Sequence, residues 1–313
     1  MSIDRVAGHP DYTASGTTKW IPEVWSAKTK RKLYNKTVGN FICNNDYQGE
    51  IKNQGDTVII RGIPDITVGN YQKGMTLDIQ HPEEPAVTMY IDKGKYVNVY
   101  LDDVDAVQSD LPLLNKYTDG AGKDMGVAID TDLLSGIYAD AHASNCGATA
   151  GAITAGYNLG ASGAPVQITK TNVLDYLVDC GTVLGENKVT DEDCWMVVPE
   201  WMAGLIQKSD LKDCSMTGDS TSVLRTDVLG KIGRFNLLKS NLIPYVAAGS
   251  EASGFQSFYV MFGCKWAVSF ADQIVKTRKV VPSNTFAEAV QMLNVYGYKV
   301  VNPAGLGYMY VRK

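Results

Sequence analysis

Histidine is scarce in this 313-residue chain, occurring only as His9, His81 and His142. With no histidine pair at ligand spacing and no flanking glutamate motif, the sequence gives no reason to expect a metal centre. The six cysteines stand at positions 43, 146, 180, 194, 214 and 264 and form no Cys-x-x-Cys pair. That spacing argues against a zinc ribbon and against a disulfide framework, and it leaves buried free thiols in a reducing compartment as the expectation. No run of eighteen apolar residues is present, so a membrane span is not expected. Met1–Arg5 also lacks the apolar core that opens a secretory signal.

What is there is an ordinary globular composition, 45% hydrophobic and 20% charged, on a chain long enough to bury a substantial core. The net charge of −5 is unevenly spread. Residues 1–40 hold seven Lys or Arg against three Asp or Glu, a balance of +4, which leaves −9 for the remainder. The basic run Lys28–Lys32 suits a solvated helix face, and the acidic body argues against extensive, tight nucleic-acid binding.

The longest helical signal follows the β-rich stretch Lys95–Leu101. Val107, Leu111, Leu114, Tyr117, Ala121, Met125 and Ala128 recur at steps of three and four, and the stripe then shifts by one through Ile129, Leu133, Ile137 and Ala141. That period predicts a helix over about 109–143, with Ser109 or Asp110 at its cap and Pro112 in its first turn. Gly120, Gly122, Gly126 and Gly136 each weaken such a helix and are therefore expected where another segment packs closely.

Around this rod the chain reads as α+β. Residues 1–48 form a polar arm in which Trp20 and Trp25 need an apolar docking site, with a short helix ending near Val38. Residues 49–79 read as an extended two-stranded excursion built on Thr57–Arg61 and Ile66–Val68. An isolated hairpin is marginally stable in water, so this excursion is expected to lean on another molecule. Two strands are expected between Ala86 and Leu101 around Asp92–Lys95. Ser144–Gln167, dominated by small residues, reads as an exposed flexible loop. A second unit follows, with a helix capped by Thr169 or Thr171, a buried strand Cys194–Val198, a helix from Glu200 to Lys208, and strands near 228–238, 243–246 and 258–270. The terminal strands 296–301 and 306–311 are expected to return to the sheet begun at Ala86.

No motif carries convincing chemistry. Gly120–Lys123 lacks the Ser or Thr and the earlier glycine of a phosphate loop and falls inside the helix. Gly160–Gly163 has the wrong glycine spacing for a nucleophile elbow. Asp102, Asp103, Asp105, Asp130 and Asp132 flank the helix or its stripe, where capping and solvation account for them. No catalytic residue, cofactor-binding residue or cofactor is expected, and the chain is read as not an enzyme.

Several segments nevertheless look familiar in their order. Ile21–Ser26 resembles an N-terminal arm; Gly55–Val58 through Val68, with Tyr71–Gly74, resembles an extended hairpin loop. Asp92–Tyr100 followed by Asp102–Asp105 resembles a strand-to-spine-helix junction. Trp195–Pro199, Gly230–Phe235 and Lys239–Asn241 resemble an axial domain, and Trp266–Ile274 with Tyr296–Val300 resembles the return to a peripheral domain. Together they resemble the major capsid proteins of tailed bacteriophages, which share the Hong Kong 97 fold.

The resemblance implies an arm over 1–48, a hairpin loop over 49–79, a peripheral domain over 80–168 and 266–313, and an axial domain over 169–265. It implies hexamers and pentamers closing into an icosahedral shell around double-stranded DNA, in a virion assembled in the host cytoplasm. The implied partners are further copies of the chain, a separate scaffolding protein, a portal, and packaged DNA held only by weak non-specific contact. Trp20, Trp25, Arg61, Tyr71 and Lys73 are the implied subunit-contact candidates. An encapsulin-like nanocompartment shell and a soluble α+β enzyme are the alternatives.

Overall fold

Five consecutive apolar residues, Cys194–Val198, set the architecture. In the computed structural model of the chain the described residues are 34–47, 57–64, 66–77, 79–103, 113–189, 193–209, 230–250, 254–282 and 286–313. Trp20, Trp25, the Lys28–Lys32 run, Asp105, Val107, Ser109, Asp110, Leu111, Pro112 and Cys214 lie outside them.

The elements, in chain order, are helix α1 (Gly39–Ile42), strands β1 (Thr57–Arg61), β2 (Ala86–Tyr90) and β3 (Lys93–Asp102), and helix α2 (Leu113–Ile137). Then come β4 (Val166–Gln167), α3 (Val173–Glu186), β5 (Cys194–Val198) and α4 (Glu200–Lys208). The chain closes with β6 (Lys231–Ile232), β7 (Phe235–Lys239), β8 (Tyr245–Val246), β9 (Ser257–Cys264), β10 (Val268–Val280), β11 (Ala287–Val300) and β12 (Leu306–Arg312). The result is α+β.

A seven-stranded sheet runs β4-β12-β9-β5-β7-β6, with β8 also paired to β9. Every residue of β5 is buried because both faces of this sheet are covered. Cys194, Met196 and Val198 point to a core shared with α3 and α4, through Val173, Leu177, Met202 and Ile206. Trp195 and Val197, one residue out of phase, point to a second core that receives Leu133, Leu134 and Ile137 from the end of α2. That second core also contains Val268 and Val300 of a three-stranded antiparallel sheet, β10-β11-β3. The C-terminal end of α2 is thus the wedge between the two sheets.

Several expectations are corrected at this level. Helix α2 ends at Ile137 and passes into a 3-10 turn, Tyr138–Asp140, so the helix does not reach 143. Its 25 residues make a rod of about 37 Å. Among the described residues of the apolar stripe, burial is confined to the C-terminal end: Leu133, Leu134 and Ile137 are buried, and no hydrophobic residue from 115 to 129 is. Of the four glycines, Gly136 meets the Tyr298 ring and Gly120 the Tyr34 hydroxyl, Gly126 touches Thr37 loosely, and Gly122 faces open space.

The strand pairing also differs. β1 pairs with β2, not with Ile66–Val68, which is not a strand. β3 pairs with β11 rather than with β2, so the expected turn at Asp92–Lys95 is a strand change. β11 does return to β3 as expected, but β12 joins the other sheet, against β9 and β4. Helix α3 begins after Asn172, whose side chain accepts from the Thr169 amide, so neither threonine is its cap.

Ser144–Gln167, expected as an exposed flexible loop, is exposed over 152–156 but anchored to the body on either side. Asn145, Ala150 and Leu159 are fully buried. The Asn145 side-chain amide donates to the carbonyls of Ala304 at 2.8 Å and Leu306 at 3.0 Å, and Tyr310 N–H donates to Leu159 O at 2.8 Å. Gly160 sits at φ +85 against the Tyr310 carbonyl, a place no side chain can occupy. Small residues here permit close backbone approach.

Candidate interaction surface

The segment between β1 and β2 leaves the body and comes back. At its base the Gly62 amide donates to Pro85 O at 2.7 Å, continuing the β1–β2 ladder by one step. Halfway out, the Thr67 amide donates to Gln80 Oε1 at 3.0 Å, and the Gln80 side-chain amide donates back to Thr67 O. At the tip Met75 N–H donates to Gln72 O at 3.1 Å, with Lys73 and Gly74 between them and Gly74 at φ +89. Those positions suit a type II turn, whose third residue favours glycine. The excursion is hairpin-like in course but almost without a ladder.

Its side chains face solvent. Ile63 and Val68 are each 92% exposed, Ile79 82% and Tyr71 72%; Ile66 and Leu77 are also exposed. Fully burying one such side chain contributes about 1.5–3 kcal/mol. Six on one thin loop offer on the order of 10 kcal/mol to whatever covers them. Among the described residues the body does not: the hairpin packs at its root, where Val58, Ile60 and Met89 meet Ala271. Of the sequence-derived contact candidates, Arg61, Tyr71 and Lys73 are exposed on this excursion or at its root. Trp20 and Trp25 lie outside the described residues.

A second exposed surface was not singled out from sequence. On the face of the three-stranded sheet, Tyr96, Leu293 and Lys276 form one cross-strand row, and Asn98, Gln291 and Arg278 the next. Tyr96 and Tyr100 are largely exposed, and Arg278 Nε donates to Gln291 Oε1 at 2.8 Å. The rows line a shallow groove of about 440 Å³. The period-two alternation of β3 was the signal that would have found it: Gly94, Tyr96, Asn98 and Tyr100 all point away from the core.

Of the aspartates that the sequence assigns to capping or solvation, Asp130 and Asp132 make structural contacts. The Asp130 carboxylate caps α1 from another helix, accepting from the amides of Val38 and, at 3.1 Å, Gly39. Burial pushes its pKa up while these two amides pull it down. Asp132 accepts from the Tyr296 hydroxyl at 2.9 Å and pairs with Lys93 at 3.4 Å, and its backbone carbonyl accepts from Tyr298. These bonds tie α2 to the three-stranded sheet. Asp102 and Asp103 are at the end of β3.

Beside Asp130 lies a cavity of about 190 Å³, closed by α1, α2 and the bulge at Gln273 that separates Asp272 from Ile274 in the β10–β11 register. Asp272 Oδ1 and Asn294 Oδ1 are buried there without a hydrogen-bond partner, and burial raises the Asp272 pKa. The lining supplies acceptors and apolar walls, and Asp130 is already engaged by backbone, so the cavity reads as packing around a bulge. Among the described residues no group of three or more His, Cys, Asp or Glu side chains is placed to hold a metal ion. No helix among them is long and apolar enough to cross a membrane.

The fold so described, with its wedge helix, its sheets and its projecting excursion, is similar to those of solved bacteriophage structures. A solved structure from Mycobacterium phage Che8 superposes with a TM-score of 0.72 at 22% identity, covering 94% of this chain and 98% of that one. The capsid structure of the cyanophage P-SCSP1u gives 0.70 at 14% identity, covering 98% and 97%. The capsid of Ralstonia phage GP4 gives 0.61 at 12% identity, covering 97% and 98%. No protein-family model matches the sequence, and no curated protein does. At these identities the likeness is one of fold, and it extends over nearly the whole of both chains.

Proposed function

We propose that this chain is a major capsid protein, the subunit of an icosahedral shell that encloses the genome of a tailed bacteriophage. The observation that carries the reading is the near-complete mutual coverage with phage capsid structures, rather than a shared local motif. Such a likeness favours a structural role over an enzymatic one.

On this reading the chain takes the Hong Kong 97 arrangement. The three-stranded sheet and α2 correspond to the peripheral domain, assigned to 80–168 and 266–313, and the large sheet with α3 and α4 to the axial domain, assigned to 169–265, with β4 and β12 crossing from the first ranges into the large sheet. Residues 1–48 are the arm. The hairpin loop assigned to 49–79 extends to Pro85, because β2 closes it. The exposed apolar side chains of that loop and the uncovered first half of α2 are then surfaces for neighbouring copies in hexamers and pentamers. One subunit is held by many modest contacts at once, which gives avidity without any single strong interface. A separate scaffolding protein and a portal complete the assembly in the host cytoplasm. Packaged DNA meets an acidic body and is held weakly.

Replacing residues 63–84 with a two-residue turn tests the reading, because Gly62 and Pro85 are already hydrogen-bonded across the base. The variant is expected to retain its circular dichroism and unfold cooperatively, while negative-stain microscopy shows no closed shells. Wild-type protein that stays monomeric under scaffold-assisted assembly conditions overturns the proposal.

A further inference from the structure

The cysteine spacing in the sequence forbids a local pair, yet the fold brings two thiols together across 70 residues. Cys194 opens β5 and Cys264 closes β9, and they stand opposite each other in an antiparallel ladder. One step outside them, Lys265 N–H donates to Asp193 O at 3.1 Å. Hydrogen-bonded and non-hydrogen-bonded pairs alternate along such a ladder. Cys194 and Cys264 are therefore a non-hydrogen-bonded pair, the kind whose side chains approach most closely. Their Sγ atoms lie 2.7 Å apart. A disulfide requires about 2.05 Å, so closing the gap needs a shift of roughly 0.7 Å.

The position matters to the sheet. β5 meets β9 through only three residue pairs, Cys194–Cys264, Trp195–Gly263 and Met196–Phe262. That short seam joins β4-β12-β9 on one side to β5-β7-β6 on the other. We propose that Cys194 and Cys264 are a redox site, which a peroxide converts from a buried dithiol to a reversible disulfide that staples the seam.

The chemistry balances with hydrogen peroxide as oxidant. Either thiol can donate to the other, and donation from Cys264 to Cys194 favours a thiolate on Cys194, taken here as the attacking sulfur. Its sulfur takes one peroxide oxygen, the O–O bond breaks, and hydroxide leaves to be protonated to water. The Cys264 sulfur then attacks the sulfenic sulfur, the S–O bond breaks, and a second water leaves. Two thiols and one peroxide become one disulfide and two waters. Both cysteines are buried, at 1% and 0% exposure, so a small neutral oxidant reaches them where a bulky disulfide reagent does not. The inference stands on the ladder geometry and does not depend on whether the chain builds a shell.

Full-length protein treated with hydrogen peroxide, alkylated and digested without reduction tests it. The expected product is a peptide pair joined through Cys194 and Cys264, lighter by two hydrogen atoms. It should form ahead of any link involving the half-buried Cys146, and the guanidinium unfolding midpoint should rise and return on reduction. A Cys194→Ser variant should show neither link nor shift, while Cys146→Ser shows both. Should Cys194→Ser fail to fold, oxidised, untreated and re-reduced wild-type protein give the same comparison. Recovery of both cysteines as free thiols at a peroxide dose that oxidises Cys146 overturns the proposal. So does a link that forms without raising the midpoint.

Discussion

The two halves of this molecule treat apolar residues in opposite ways. In the large sheet, β5 buries five consecutive side chains between two covered faces. In the excursion between β1 and β2, Ile63, Val68 and Ile79 are more than four-fifths exposed and no core claims them. Among the described residues nothing covers this loop's apolar side chains, and on the proposed reading neighbouring copies supply the cover.

Substitutions can break that contrast, and the largest effects on the subunit belong in the body. Leu134 is fully buried where α2 wedges between the sheets. Leu134→Ala is expected to cost about 2–5 kcal/mol, read from the guanidinium unfolding midpoint. Gly160→Ala comes next, at about 1–3 kcal/mol on the same assay, since it combines a left-handed φ with a clash against the Tyr310 backbone.

Asp272 gives a smaller effect whose sign depends on pH. Burial raises its pKa, so the folded state holds this proton more tightly than the unfolded chain does. Its contribution to stability is therefore greatest below the ordinary carboxylate range and is lost as pH rises through that range to the raised value. Asp272→Asn should be slightly more stable than wild type near pH 7, with the advantage fading in acid, as urea unfolding at both pH values will show. The excursion should respond least. Val68, Tyr71 and Ile79 together changed to Ser should move subunit stability by no more than about 0.5 kcal/mol. The same variant should lose shell assembly by microscopy. A large loss of stability there would erase the distinction between the two regions.

Local signals carried much of the fold. The period of α2, the unbroken apolar run of β5 and the proline ahead of α4 each specify an element through contacts within a few residues. The excursion was legible as an extended projection broken by Gly62, Pro64, Gly69 and Gly74, but its second strand was misplaced: Ile66–Val68 is not a strand and β2 closes the ladder. Illegible were the pairings. Nothing local to Ala86–Tyr90 says that its partner is Thr57–Arg61 rather than Lys93–Asp102, since both have strand patterns and the choice is made by what packs on Ala271. Ser144–Gln167 was misread for the related reason that small residues look like slack until the backbone they admit is in view.

The sequence by itself determined that the stripe of α2 is helical, that the apolar run of β5 is extended, and that the charge is unevenly divided. Those properties depend on neighbours along the chain. Only the tertiary structure decided that Leu134 joins two sheets, that Asp130 caps a helix 91 residues away, and that Cys194 faces Cys264. Each of these is a long-range contact fixed by strand register and by the shape of a shared core, and no spacing in the sequence encodes it.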